Sequence, residues 1–238
     1  NPPFVEQFGR EIHSLQQILP EHLDICNLES ISASEQDLEL NTLHGMRWHH
    51  LEVAISGLSE DNSQKVITLI DIQERKLREL EHAREAMSDP LTGLMNRRGL
   101  LQYMDRHISQ SLTVFYIDLD GFKPVNDSYG HSAGDELLCQ LANLLMAQPG
   151  KKICARLGGD EFIIVYLTVL DDADIHQVAD VLLEDLSQPF YIDANYQARI
   201  SASIGIARSP QDSRSIDDLL IKADAAMYKA KKQGRSQA

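Results

Sequence analysis

Cysteine, aromatic residues and positive charge are all scarce in this chain, and each shortage narrows what it can be. Only three cysteines, Cys26, Cys139 and Cys154, occur in 238 residues. Widely spaced and odd in number, they offer neither a disulfide framework nor zinc-finger spacing, which points to reduced thiols in a cytoplasmic setting. Aromatics make up 6% of the chain, with a single Trp. Apolar runs are short, such as FIIVYL at Phe162–Leu167, far below the roughly 20 residues of a membrane-spanning helix. The opening Asn-Pro-Pro-Phe leads into charged residues rather than the apolar core of a secretory signal. Lys and Arg total 22 against 36 Asp and Glu, so 22 − 36 leaves a net charge of −14. Such a deficit excludes a surface that holds nucleic acid or anionic lipid by bulk electrostatics. Any phosphate must be met locally, by metal ions, backbone amides or a few placed cations.

What remains is ordinary globular material, 43% hydrophobic and 24% charged. The charge is unevenly spread: residues 1–88 carry 7 basic and 16 acidic groups, net −9, and residues 89–238 carry 15 and 20, net −5. Between these parts, DIQERKLRELEHAREAM (Asp71–Met87) is rich in helix formers, with Leu77, Leu80, Ala83 and Met87 at three- and four-residue steps. It reads as an amphipathic surface helix or as a short two-stranded coiled coil whose seam Arg84 interrupts. We take it as a helical linker with the capacity to dimerise. Before it, Arg47–Gly57 and Lys65–Ile72 read as strands. His44, His49 and His50 lie there, but adjacent strand residues point to opposite faces, so His49 and His50 cannot share one metal ion. After it, strands at Leu112–Asp118, on both sides of Gly158-Gly159 and within ARISASIGIA alternate with helices at Gly134–Met146, Ile175–Leu186 and Ile216–Lys231. The pattern predicts an α+β fold, a sheet covered by helices.

Three segments of this second part call for chemistry. IDLDGFK ends a hydrophobic run in Asp118 and Asp120, and carboxylates at the end of a buried strand cost desolvation unless a cation meets them. A DxD also occurs in plain turns. RLGGDEF (Arg156–Phe162) favours a tight hairpin that carries Asp160 and Glu161 at its tip; if its partner is the Asp118 strand, three carboxylates converge on a two-metal site. Gly-Gly-Asp is equally a good turn in its own right. KPVNDSYGHSAGDELL (Lys123–Leu138) spaces Asn126, Asp127, His131 and Asp135 along two helical pieces pivoting at Gly130 and Gly134. Asp135 suits a helix cap. An amide and a carboxylate in one pocket also suit the edge of guanine.

Together these segments resemble the diguanylate cyclase (GGDEF) family over residues 89–238. The likeness runs from DPLTGLMNRR (Asp89–Arg98) through FYIDLDGFKPVNDSYGHSAGDELL, ARLGGDEF and SASIGIA to ADAAMYKAKKQGR (Ala223–Arg235). The resemblance implies a ferredoxin-like, palm-type catalytic domain in a bacterial cytoplasm that condenses two GTP into cyclic di-GMP. It implies two Mg²⁺ or Mn²⁺ ions held by Asp118, Asp160, Glu161 and the backbone carbonyl of Leu119. Asp160 or Glu161 would accept the 3′-hydroxyl proton. Asn126, Asp135, Phe122 and His131 fall at substrate positions, with Asp135 matching the guanine-selective members, and Lys123, Lys231 and Arg235 at those reaching the triphosphate. Each protomer would hold one GTP, so catalysis would need a homodimer. Two departures stand out. Pro149, Gly150, Lys151 and Lys152 occupy the stretch of the family's Arg-x-x-Asp feedback site, and Ser236 replaces a usual Asn. A catalytically silent module that binds GTP or cyclic di-GMP is the alternative, and the intact signature weighs against it.

The first part resembles the later helices and strands of a PAS sensor domain, at NPPFVEQFG, WHHLEVAISGL and VITLIDIQERK, with that fold's first strands expected to be missing. We therefore expect a small PAS-like α+β regulatory or dimerising domain at residues 1–75, a helical signalling linker at 76–88 and the GGDEF domain at 89–238. Nothing in the first part requires an organic cofactor.

Overall fold

The structure, a computed structural model, describes residues 36–56, 64–107, 111–168, 170–192 and 197–234. The chain divides into two compact units, residues 1–82 and 83–238. In the first, β1 (Gln36–Thr42), β2 (Gly45–Ser56) and β3 (Gln64–Asp71) form an antiparallel meander. His49 is fully buried and His50 bonds Asp37 Oδ1 at 2.8 Å from the other face, as strand alternation requires. Among the described residues no His, Cys, Asp and Glu side chains gather into a group of three fit for a metal. The expected helix follows as α1 (Gln73–Glu85); it buries none of its residues, and Leu77 and Leu80 stand more than half exposed. The segment NPPFVEQFG lies outside the described residues.

The second unit is built on β4 (Leu112–Asp120), in which all nine residues are buried. Burial on both faces explains why its sequence is a continuous apolar run rather than an alternation. Its neighbours are β6 (Glu161–Tyr166) on one side and β9 (Ser201–Ser209) on the other, with β5 (Lys152–Gly158) outside β6, all antiparallel, in the order β5-β6-β4-β9. The connecting helices are α2 (Arg97–His107), α3 (Phe122–Tyr129), α4 (His131–Ala147), α5 (Asp172–Ser187) and α6 (Ile216–Gln233). A minor pair, β7 (Phe190–Tyr191) and β8 (Gln197–Ala198), forms a separate two-stranded ribbon beside α4. This is the ferredoxin-like α+β arrangement.

Alternate residues of β4 feed two cores. Phe115, Ile117 and Leu119 pack with α4 and α5, and Leu112, Val114 and Tyr116 with α2 and α6. Each fully buried apolar side chain contributes on the order of 1.5–3 kcal/mol, so β4 anchors both layers. One close approach is decisive on the second face. A Cβ on Gly205 of β9 would lie 2.0 Å from Ala223 O and 2.2 Å from Met227 N, so only glycine lets α6 settle onto the sheet. Side chains on the sheet-facing side of α6 thereby come down onto the acidic end of β4.

Candidate active site

The hairpin at the tip of β5 and β6 has the geometry its sequence predicts. Gly158 and Gly159 both adopt positive φ, 151° and 52°, and Gly159-Asp160 closes a loop between the paired residues Gly158 and Glu161. The partner of β6 is the Asp118 strand. Asp118 and Glu161 are directly opposite in register, and the Leu119 N–H donates to Asp160 O at 3.3 Å. Asp118, Asp160 and Glu161 thus share one end of the sheet.

The electrostatics there are unbalanced. Burial pushes the Asp118 carboxyl above the usual carboxylate range; Lys231 opposes the rise, and Asp160 and Asp120 add to it. Glu161 is also raised, first by burial and then by Asp118, Asp224 and Asp160, against a hydrogen bond from Tyr116. Lys231, near the end of α6, forms an ion pair with Asp118 Oδ1. Asp120, also buried, accepts from Ser203 Oγ at 2.9 Å. Carboxylates crowded and desolvated with one lysine among them are a donor set suited to hard divalent cations, and Lys231 takes the place of a counter-ion.

Beside this end lies a second group. Gly121 (φ 89°) turns the chain out of β4 into α3, and Gly130 (φ 86°) separates α3 from α4. Gly134 is not a pivot but sits inside α4, where a Cβ would fall 2.0 Å from Asn126 Oδ1 and 3.2 Å from Phe122 Cζ. The absence of that Cβ packs Asn126 and Phe122 beside the residue preceding Asp135. α4 begins at His131 with Gly130 as its cap, so Asp135 lies in the second turn and does not cap the helix. It is exposed, as are Lys123 and His131, while Asn126 and Phe122 are half-buried. Arg235 and Ser236 lie outside the described residues.

Some participants carried no sequence signal that we read. Arg156, inside the signature, pairs with Asp89 at 3.1 Å and donates through Nε and its terminal nitrogen to Gly159 O at 3.0 and 2.8 Å. It therefore ties Asp89-Pro-Leu-Thr to the hairpin. Burial pushes the Asp89 carboxyl up, but bonds from the Thr92 hydroxyl and N–H, with Arg156, outweigh it and hold Asp89 below its ordinary range. In the feedback stretch, Lys152 donates to Met146 O at 3.0 Å and to Gln148 O, closing the end of α4.

Comparisons with known proteins agree with this geometry. The family model described as "Diguanylate cyclase, GGDEF domain" matches residues 86–237. The bifunctional diguanylate cyclase/cyclic di-GMP phosphodiesterase MucR of Pseudomonas aeruginosa is 44% identical over 158 residues, covering 63% of this chain and 23% of that protein. An uncharacterized signaling protein of Caulobacter vibrioides is 35% identical and aligns with 98% of this chain and 30% of its own length. The chain thus spans less than a third of either relative. A crystal structure of a sensory box/GGDEF family protein from Caulobacter crescentus, 38% identical, superposes with a TM-score of 0.58 over 62% of this chain and 99% of that one. With the match covering more than half of its residues and the signature hairpin intact against the Asp118 strand, the chain belongs to the GGDEF family.

Proposed function

We propose that residues 89–238 condense two GTP molecules into cyclic di-GMP, releasing two pyrophosphates. The reading is carried by one observation: the intact hairpin holds Glu161 opposite Asp118 at the acidic end of the central strand. Asp118, Asp160, Glu161 and the carbonyl of Leu119 would hold two Mg²⁺ or Mn²⁺ ions, which when bound offset charge on the triphosphate and acidify the attacking hydroxyl. The chain's own groups do the rest. Asp135 accepts from the ring N–H and amino group of guanine while the Asn126 amide bonds its edge, with Phe122 and His131 bordering the base. Lys123, Lys231 and Arg235 receive the phosphates, Lys231 exchanging its Asp118 partner for phosphate oxygen. Asp160 or Glu161 takes the proton from the 3′-hydroxyl, whose oxygen attacks the other GTP's α-phosphorus in line as pyrophosphate leaves.

Each unit holds one GTP, so two must face each other and the active species is a homodimer. Residues 1–75 serve as a PAS-like regulatory or dimerising domain, and residues 76–88 as the linker that sets the distance between two catalytic units. The exposed Leu77 and Leu80 support that role for the linker.

The test is conversion of GTP with Mg²⁺ by the purified chain, with the product identified by mass spectrometry. Cyclic di-GMP is expected, and replacing Asp160 by Ala should abolish it. GTP binding without pyrophosphate release from a verified dimer would favour a silent nucleotide-binding module instead.

A further inference from the structure

Tyr116 is a buried polar side chain, 7% exposed, that the proposed chemistry does not use. It lies two residues before Asp118 on β4, so both project from the same face of the sheet. Tyr116 is directly opposite Ile163 of β6, which makes Glu161 its diagonal neighbour, within reach of a long aromatic side chain. The phenol is the neutral polar group that stands beside the Glu161 carboxylate. On its other flank, Tyr116 lines a cavity of about 310 Å³ together with Arg97, Leu157, Leu220 and Asp224. Gly205 faces Tyr116 from β9 and admits α6, which brings Asp224 near enough to act on both groups. Glu161 therefore meets carboxylates at Asp118, Asp160 and Asp224, with the neutral Tyr116 hydroxyl on the same face.

We propose that Tyr116 is a positioning residue for Glu161, its phenol donating to the carboxylate and restricting it to one orientation at the acidic end of the sheet. Without that bond, repulsion from three neighbouring carboxylates turns Glu161 toward solvent. The role rests on the reading of Glu161 as a metal-holding group under Proposed function.

Two measurements on the full chain separate the inference from that reading. First, Mn²⁺ binding is followed by paramagnetic resonance with a non-hydrolysable GTP analogue present. Tyr116→Phe, which keeps the ring and removes the hydroxyl, should weaken Mn²⁺ binding about five- to tenfold while the melting temperature falls by no more than about 6 °C. Unchanged Mn²⁺ affinity would overturn the proposal. Second, a double-mutant cycle on unfolding needs neither metal nor activity. The destabilisation caused by Tyr116→Phe should be about tenfold in the unfolding equilibrium and should vanish in the Glu161→Ala background, because the bond's partner is already gone. Equal effects in both backgrounds would overturn the proposal. A wild-type chain that binds no Mn²⁺ and makes no product would refute the proposed function, and the cycle would still decide the positioning role.

Discussion

Two sets of wholly or partly buried carboxylates in the second unit differ in how completely they are met. Asp89 accepts two bonds from Thr92 and a paired guanidinium from Arg156, and its carboxyl sits below the ordinary range despite burial. Asp118 and Glu161 are also desolvated, but they face one another and Asp160, with Lys231 pairing Asp118 among the described residues, and both sit above it. The first set is self-sufficient and structural. The second keeps an unmet demand for positive charge, the property expected of a site built to receive something.

Replacing Asp118 by Asn puts the largest strain on this contrast. Turnover of GTP, followed by pyrophosphate release, should fall by about 10³-fold or more, while the melting temperature stays within about 3 °C of the parent. A large loss of stability instead would mean that Asp118 belongs with Asp89 as a structural group. The converse substitution is Asp89→Ala, which strands the Arg156 guanidinium and removes the Thr92 acceptor. It should cost about 2–3 kcal/mol, a drop of about 4–10 °C, read by calorimetry. Retained stability would show that the Arg156 bonds to Gly159 O hold the hairpin unaided.

Much of this contrast was legible in the sequence, and the missing portion has a common cause. The sheet and helices of the second unit announced themselves through hydrophobic period, and the hairpin through its paired glycines, because both signals are local. Asp118 is legible as a carboxylate ending an apolar run and Asp160 and Glu161 as the tip of a Gly-Gly turn, while the role they share comes from the resemblance to the GGDEF family. Asp89 with Arg156, and Tyr116 with Glu161, were not read, because each pair depends on strand register between distant segments. Gly205 was hidden for a similar reason. In SASIGIA it is one small residue among several, and only the docked helix shows why a side chain cannot stand there. α4 begins three residues before the Gly134 at which the sequence pattern predicts a pivot, because that glycine's role is to admit Asn126.

A smaller effect concerns the strain in the acidic set. Glu161→Gln removes one like charge beside Asp118, Asp160 and Asp224 while keeping the side-chain shape. We expect it to raise the melting temperature by about 2–4 °C, the effect of roughly 1 kcal/mol in a chain of this size, as activity is lost. A lowered melting temperature would show that the Tyr116 bond outweighs the repulsion.

The finest test reads the two sets through pH, since their contributions have opposite signs. Asp89 ionises more readily folded than unfolded, so its contribution is fully present above the unfolded carboxylate value of about 3.9 and is lost as pH falls through the lower folded value. Asp118 and Glu161 ionise less readily when folded. Within the window above about 4, the folded state then holds the extra proton, and stability declines as pH rises toward neutral. Denaturant unfolding of the metal-free chain across pH 3–7 should therefore show two separable slopes. Asp89→Asn should flatten the one below about pH 4, and Glu161→Gln the one above it. If both variants altered the same limb, the two sets would not differ in kind, because a carboxylate that is fully met and one crowded among like charges must release their protons on opposite sides of the unfolded value.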